Sequence, residues 1–95
     1  MVSFEWDNNK DKINFRKHGI YFEEAETVFH DPYARLIHDP DHSGKEDRFI
    51  LLGMSGKLRL LVVCHVYRKQ DETIRIYSAR KAKRAETEEY RRNLI

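Results

Sequence analysis

Asp47-Arg48-Phe49-Ile50-Leu51-Leu52-Gly53-Met54 and Leu58-Arg59-Leu60-Leu61-Val62-Val63-Cys64-His65-Val66-Tyr67, joined by Ser55-Gly56-Lys57, decide the fold of this chain. Two apolar runs flanking three turn-forming residues are the pattern of a β-hairpin. The second run is almost continuously apolar from Leu60 to Val66, which places it in the middle of a sheet, where both faces are covered. Downstream, Arg68 to Thr73 turn the chain into a last strand, Ile74 to about Ala79. Upstream, Tyr33 to Ile37 form a weak strand, and His38-Asp39-Pro40-Asp41-His42-Ser43-Gly44 form a polar loop rich in turn residues.

Two helices precede this meander. Asp7 is the expected N-cap of the first, Asn8 to His18, and Gly19 its stop. Phe22, Ala25, Val28 and Phe29 mark one face of the second, from Tyr21 to His30, which Asp31-Pro32 ends because the residue before proline leaves the helical region. A short strand at residues 2 to 6 opens the chain, and a helix from about Lys81 to Asn93 closes it on a modest stripe of Ala82, Ala85 and Tyr90. The order β-α-α-β-β-β-β-α predicts an α+β domain of residues 1–95, with a largely antiparallel sheet, helices on one face and the other face open to a ligand.

Ninety-five residues suffice for one core, and 40% apolar with 36% charged residues describe an ordinary globular chain. The net charge of +2 hides an uneven distribution, with acids crowding residues 23 to 47 and bases residues 57 to 92. The single Cys64 forms no internal disulfide. The amino terminus has no signal-peptide pattern, and no apolar run reaches membrane-spanning length, so a cytoplasmic protein without a membrane partner is expected.

Ile74-Arg75-Ile76-Tyr77-Ser78-Ala79-Arg80-Lys81-Ala82-Lys83-Arg84 carries the chemistry. A helix start already bears partial positive charge, so cations crowded there call for an anion, and phosphate is the first candidate. If the last two strands pair like with like, His65, Tyr67, Arg75 and Tyr77 meet on one face; a slip of one residue reverses this. Such a group beside Arg80 suits metal-free cleavage of RNA. His65 would transfer protons, Arg75 and Arg80 would hold the phosphoryl charge, and Tyr67 and Tyr77 would stack on bases. A half-solvated sheet face explains the same residues without chemistry. Lys17 and His18 read equally as ordinary last-turn cations. Pro40 keeps His38 and His42 off a common helix face, so no metal is expected, nor any other cofactor. Cys64 and His65, adjacent on a strand, point to opposite faces and form no nucleophilic pair.

Phe4-Glu5-Trp6-Asp7, Lys10, Asn14, Lys17-His18-Gly19, Phe22-Glu23-Glu24-Ala25, Val28-Phe29, Asp31-Pro32, Arg48, Gly53, Arg59-Leu60-Leu61-Val62, Ile74-Arg75-Ile76 and Ser78-Ala79-Arg80-Lys81-Ala82 together resemble the BrnT family of type II toxins. The resemblance implies a RelE-like ribonuclease that inhibits translation. It also implies a BrnA-like antitoxin with a ribbon-helix-helix DNA-binding part, a heterotetramer with that antitoxin, and operator DNA bound through it. Carried over by position are Arg48, Arg59, Arg75, Arg80 and the Lys17-His18 pair. Many relatives carry Ile-Ser-Ala-Arg where this chain has Ile76-Tyr77-Ser78-Ala79-Arg80, an apparent one-residue insertion or an altered hydrophobic step that leaves the facing of Tyr77 open. The expected site is thus His65, Arg75 and Arg80 in catalysis, with Lys17, His18, Arg48, Arg59, Tyr67, Tyr77, Lys81 and Lys83 binding RNA or in support. The other class of function is a non-catalytic module that binds nucleic acid or a protein in a regulatory complex.

Overall fold

Five strands form one sheet in the order β1-β5-β4-β3-β2 in a computed structural model that describes residues 2–94. The strands are β1 Ser3–Glu5, β2 Arg35–Asp39, β3 Arg48–Met54, β4 Leu60–Arg68 and β5 Thr73–Lys81; the helices are α1 Asn8–His18, α2 Phe22–Thr27 and α3 Arg84–Arg92. β2 to β5 are an antiparallel meander, and β1 joins the outer side of β5 in parallel. Among the described residues no helix is long and apolar enough to cross a membrane.

Local chemistry sets the ends of α1 as expected, whereas α3 starts at Arg84 and not near Lys81, because Arg80 and Lys81 still pair with Val62 and Leu61 of β4 as part of β5. The Asp7 carboxylate accepts from the Asn9 and Lys10 N–H groups at 2.8 and 3.0 Å, and Gly19, at φ 73°, donates its N–H to the Phe15 carbonyl. Asn14 then does what a strand would do. Its amide donates to the Ala79 carbonyl at 2.8 Å and accepts from the Ala79 N–H at 3.1 Å, closing the part of the β5 edge that short β1 leaves open. Those two bonds hold α1 beside β5 and bring Lys10 and Lys17 to its margin.

The main core lies between the sheet and α1 and α2, where Ile20, Phe22, Ala25 and Val28 pack on Leu51, Leu61, Val63, Ile74, Ile76 and Ala79. Gly53 is required there, since a Cβ would lie 2.8 Å from Val28 Cγ1 and 2.9 Å from the Ala34 Cβ. α3 departs from the expected placement of all helices on one face. Tyr90 packs against Leu52 and Val62, which alternate to the opposite side of the sheet, and donates its hydroxyl to Asp31 at 2.6 Å. Of the expected stripe, Tyr90 and Ala82 cover one end of that face while Ala85 is exposed, leaving the other end open.

The β4–β5 register decides which residues reach the open end. Val63 faces Ala79 and Cys64 faces Ser78, but His65 faces Ile76, so Tyr77 is the extra residue of a β-bulge. The apparent insertion is absorbed there. His65 and Tyr67 therefore lie opposite Ile76 and Ile74 on the core side, while Arg75 and Arg80 lie opposite Val66 and Val62 on the other. The single face shared by His65, Tyr67, Arg75 and Tyr77 does not form.

Candidate functional site

The open end of the sheet gathers cations from four elements around the bulge. The Tyr77 ring has the Arg48 guanidinium carbon 4.4 Å from its centroid, the Lys10 ammonium 5.0 Å away and the Arg75 guanidinium carbon 6.0 Å away. Arg68 donates to the Tyr77 hydroxyl at 3.2 Å, and that hydroxyl donates to Glu46 at 3.3 Å. A phenol ring offers its negative face to such cations and offsets part of their mutual repulsion. Three like charges thus gather at the ring, and Arg68 with Glu46 sits at its hydroxyl.

Two surface depressions meet at Ser78. One, about 240 Å³, is lined by Arg48, Arg80, His42, Asp39, Cys64 and Ser78, and the other, about 190 Å³, by Lys10, Lys17, His18 and Tyr77 among others. In the first, His42 Nδ1 lies 2.7 Å from the Asp39 carboxylate, and the His42 side chain is 70% exposed. Since a carboxylate only accepts, Nδ1 carries the proton in this pair, and in the neutral ring Nε2 is then the acceptor toward solvent. The remaining histidine of the loop, His38, pairs with Asp47 instead, and no metal-holding cluster of His, Cys, Asp or Glu occurs among the described residues.

Most arginines of the expected site already have carboxylate partners: Arg80 donates to both oxygens of Glu86 at 2.8 Å, Arg75 donates to Glu5 at 2.7 Å, and Arg59 is paired with Glu24. Arg68, outside the expected set, donates to Glu46 at 3.2 Å. Glu86 also accepts from the Lys83 N–H at 2.7 Å, so the chain itself supplies the anion that the crowded helix start called for. Arg80 holds the Glu86 carboxyl below the usual carboxylate range. Arg48 differs: among the described residues no carboxylate lies within ion-pair distance of it. It is the cation of the cleft left without a counter-ion.

His65 lies elsewhere. It is fully buried, with Nδ1 3.2 Å from the Val63 carbonyl, Nε2 3.2 Å from the Tyr67 hydroxyl, and its ring against Phe29 and Phe49. Burial lowers its pKa to about 4, and no substrate reaches it. Arg59 is equally remote, bound through Nε and Nη2 to buried Glu24, whose second partner is Ser55. Lys81 alternates to the face opposite Arg80, and Lys83 is the exposed residue before α3. Thus Arg48, Arg75, Tyr77, Arg80, Lys17 and His18 come together, and His65, Tyr67 and Arg59 stand apart. Arg68 was not singled out from sequence, Lys10 entered only among the family's motifs, and His42 was weighed only as a metal ligand; the three-residue spacing of Asp39 and His42 in a polar loop is the signal that could have found that pair.

Residues 6–86 match the family described as the ribonuclease toxin, BrnT, of type II toxin-antitoxin systems. The fold is similar to that of the Brucella abortus ribonuclease toxin BrnT in its crystal structure, with a TM-score of 0.67 and 23% identity over 88% of this chain and 100% of that one. Among proteins of curated function, none matches the sequence.

Proposed function

The chain belongs to the BrnT family of ribonuclease toxins, and from that premise we propose an endoribonuclease that uses the cleft between Arg48, Arg80 and His42 to cut RNA without a metal. The observation that carries this reading is Arg48, a cation beside a carboxylate-held histidine with no carboxylate of its own. A guanidinium so placed offers its fork to two oxygens of a bound phosphodiester. Arg80, positioned by Glu86, lies in the same cleft, and Lys10, Lys17 and His18 extend the positive margin along which flanking phosphates run.

In this mechanism His42 Nε2 accepts the proton of a ribose 2′-hydroxyl while Asp39 holds the imidazole and stabilises its charged form. The 2′-oxygen forms a bond to phosphorus, the bond from phosphorus to the 5′-oxygen breaks, and the departing oxygen takes a proton from water. The products are a 2′,3′-cyclic phosphate and a 5′-hydroxyl. Arg48, with Arg75 and Arg80 behind it, offsets the charge that builds on the phosphoryl oxygens. His42 replaces His65 as the proton-transfer group because His65 has no route to solvent.

Cutting messenger RNA would inhibit translation in the cytoplasm. A cognate antitoxin, with the ribbon-helix-helix part and heterotetramer implied by the family, would neutralise the chain and carry it to operator DNA.

The test is cleavage of a transcript in EDTA by the purified chain, with end-group analysis of the fragments. Arg48→Ala is expected to lower the rate by about 10²-fold and His42→Ala by about 10²- to 10³-fold, with unchanged circular dichroism. Equal cutting by Arg48→Ala and the wild type would sink this site. Binding of the transcript with no cutting by any form would favour the non-catalytic module.

A further inference from the structure

On the side of the sheet away from the cleft, charge has the opposite sign. Leu36 of β2, Phe49 of β3 and Tyr67 of β4 line a cavity of about 540 Å³ whose other walls are Glu46, Asp47 and Asp71. No lysine or arginine is among these lining residues. Leu36 is 53% exposed, which is costly for a leucine on an edge strand, because an uncovered apolar side chain forfeits its burial free energy.

We propose that this cavity docks the cognate antitoxin through a segment carrying one or two large apolar side chains flanked by lysine or arginine. The proposal rests on the toxin–antitoxin reading above and adds where and by what chemistry the partner binds. Three carboxylates around an apolar floor repel RNA and anionic lipid, and they attract a cationic peptide whose apolar residues cover Leu36, Phe49 and Tyr67. The cavity is more than twice the volume of the cleft at about 240 Å³, which is room for side chains and not for a single ion. Asp71 has no ion-pair partner among the described residues, and Asp47 has only His38, at 3.4 Å. Two of the rim charges are therefore free, or nearly free, to meet a partner's cations.

Glu46 gives the docked segment a route to the cleft. Its carboxylate lines the cavity and also accepts from Arg68 and from the Tyr77 hydroxyl. A partner cation that takes Glu46 competes with both, so docking on one side loosens the cation cluster on the other.

The experiment measures affinity for the antitoxin encoded beside this chain, by calorimetry, for the wild type, Asp47→Lys/Asp71→Lys and Leu36→Gln. The double variant is expected to bind at least about tenfold more weakly, with a shallower salt dependence. Leu36→Gln should weaken binding severalfold without changing that dependence. Both should melt near the wild-type temperature and cut free transcript at the wild-type rate. Unchanged antitoxin affinity in both variants overturns the proposal while leaving the ribonuclease reading intact. An antitoxin that fails to bind the wild type removes the toxin–antitoxin reading and the proposal together. Concentration-dependent self-association abolished by Leu36→Gln, with antitoxin affinity unaltered, assigns the cavity to a second copy and likewise overturns it.

Discussion

The Arg48 guanidinium lies over the Tyr77 ring, 4.4 Å from its centroid, and the ring has Lys10 and Arg75 within 6.0 Å as well. One phenol thus positions a basic cluster that electrostatic repulsion would otherwise spread.

Replacing that ring should disperse the cluster. Tyr77→Leu is expected to weaken RNA binding by about 3- to 10-fold, from the loss of cation–π contacts of about 0.5–1 kcal/mol each. The slope of log affinity against log salt should fall by about one unit as phosphate contacts are lost. Tyr77→Phe keeps the ring and loses only the hydroxyl bonds to Arg68 and Glu46, so filter binding should find it near the wild type. Equal effects of the two substitutions would contradict a role for the ring.

His65 makes stability depend on pH. Burial holds its pKa at about 4 in the folded protein against 6.5 in the unfolded chain, so between those values only the unfolded chain takes up the proton. Its contribution is complete above pH 6.5 and declines as pH falls toward 4, by about 3 kcal/mol in all. Urea unfolding across this range should show the decline in the wild type and a shallower one in His65→Phe. That variant should still cut RNA; loss of cutting with the fold retained would return His65 to the active site.

Arg59 is expected to matter for stability and not for RNA. Arg59→Met leaves Glu24, 6% exposed, with Ser55 as its remaining side-chain partner. The cost should be about 2 kcal/mol, below the range for a fully buried pair because Arg59 is one-third exposed. Hydrogen bonding from Arg59 holds the Glu24 carboxyl below its ordinary 4.5, so the stability it contributes is present above that value and is lost as pH falls through the lowered one. Denaturation at pH 7 should reveal the deficit, narrowing in acid, with cleavage per folded molecule unchanged. A fall in cleavage beyond the unfolded fraction would tie Arg59 to the site after all.

The sequence by itself determined the elements and their order. Asp7 and Gly19 bound α1, Asp31-Pro32 ends the second helical segment, and the runs on either side of Ser55-Gly56-Lys57 form the hairpin, because caps, turns and periodicity involve residues only a few positions apart. The family was legible too, since its motifs are spread along the whole chain. The site was legible only in part. Arg48, Arg75, Arg80 and Tyr77 stand out as types, but the tertiary structure alone decides their company. A single extra residue, Tyr77, is accommodated as a bulge by hydrogen bonds between strands whose partners are up to twenty positions apart. That bulge turns Ile76 to the core and Arg75 to the other face beside Arg80, while alternation along β4 keeps His65 with Leu61 and Val63 in the core. Carboxylates distant in sequence, such as Glu5 beside Arg75, neutralise some cations, while Arg48 has no ion pair among the described residues. Facing depends on register, and charge compensation depends on contact; both are settled between segments, so neither can be read along one.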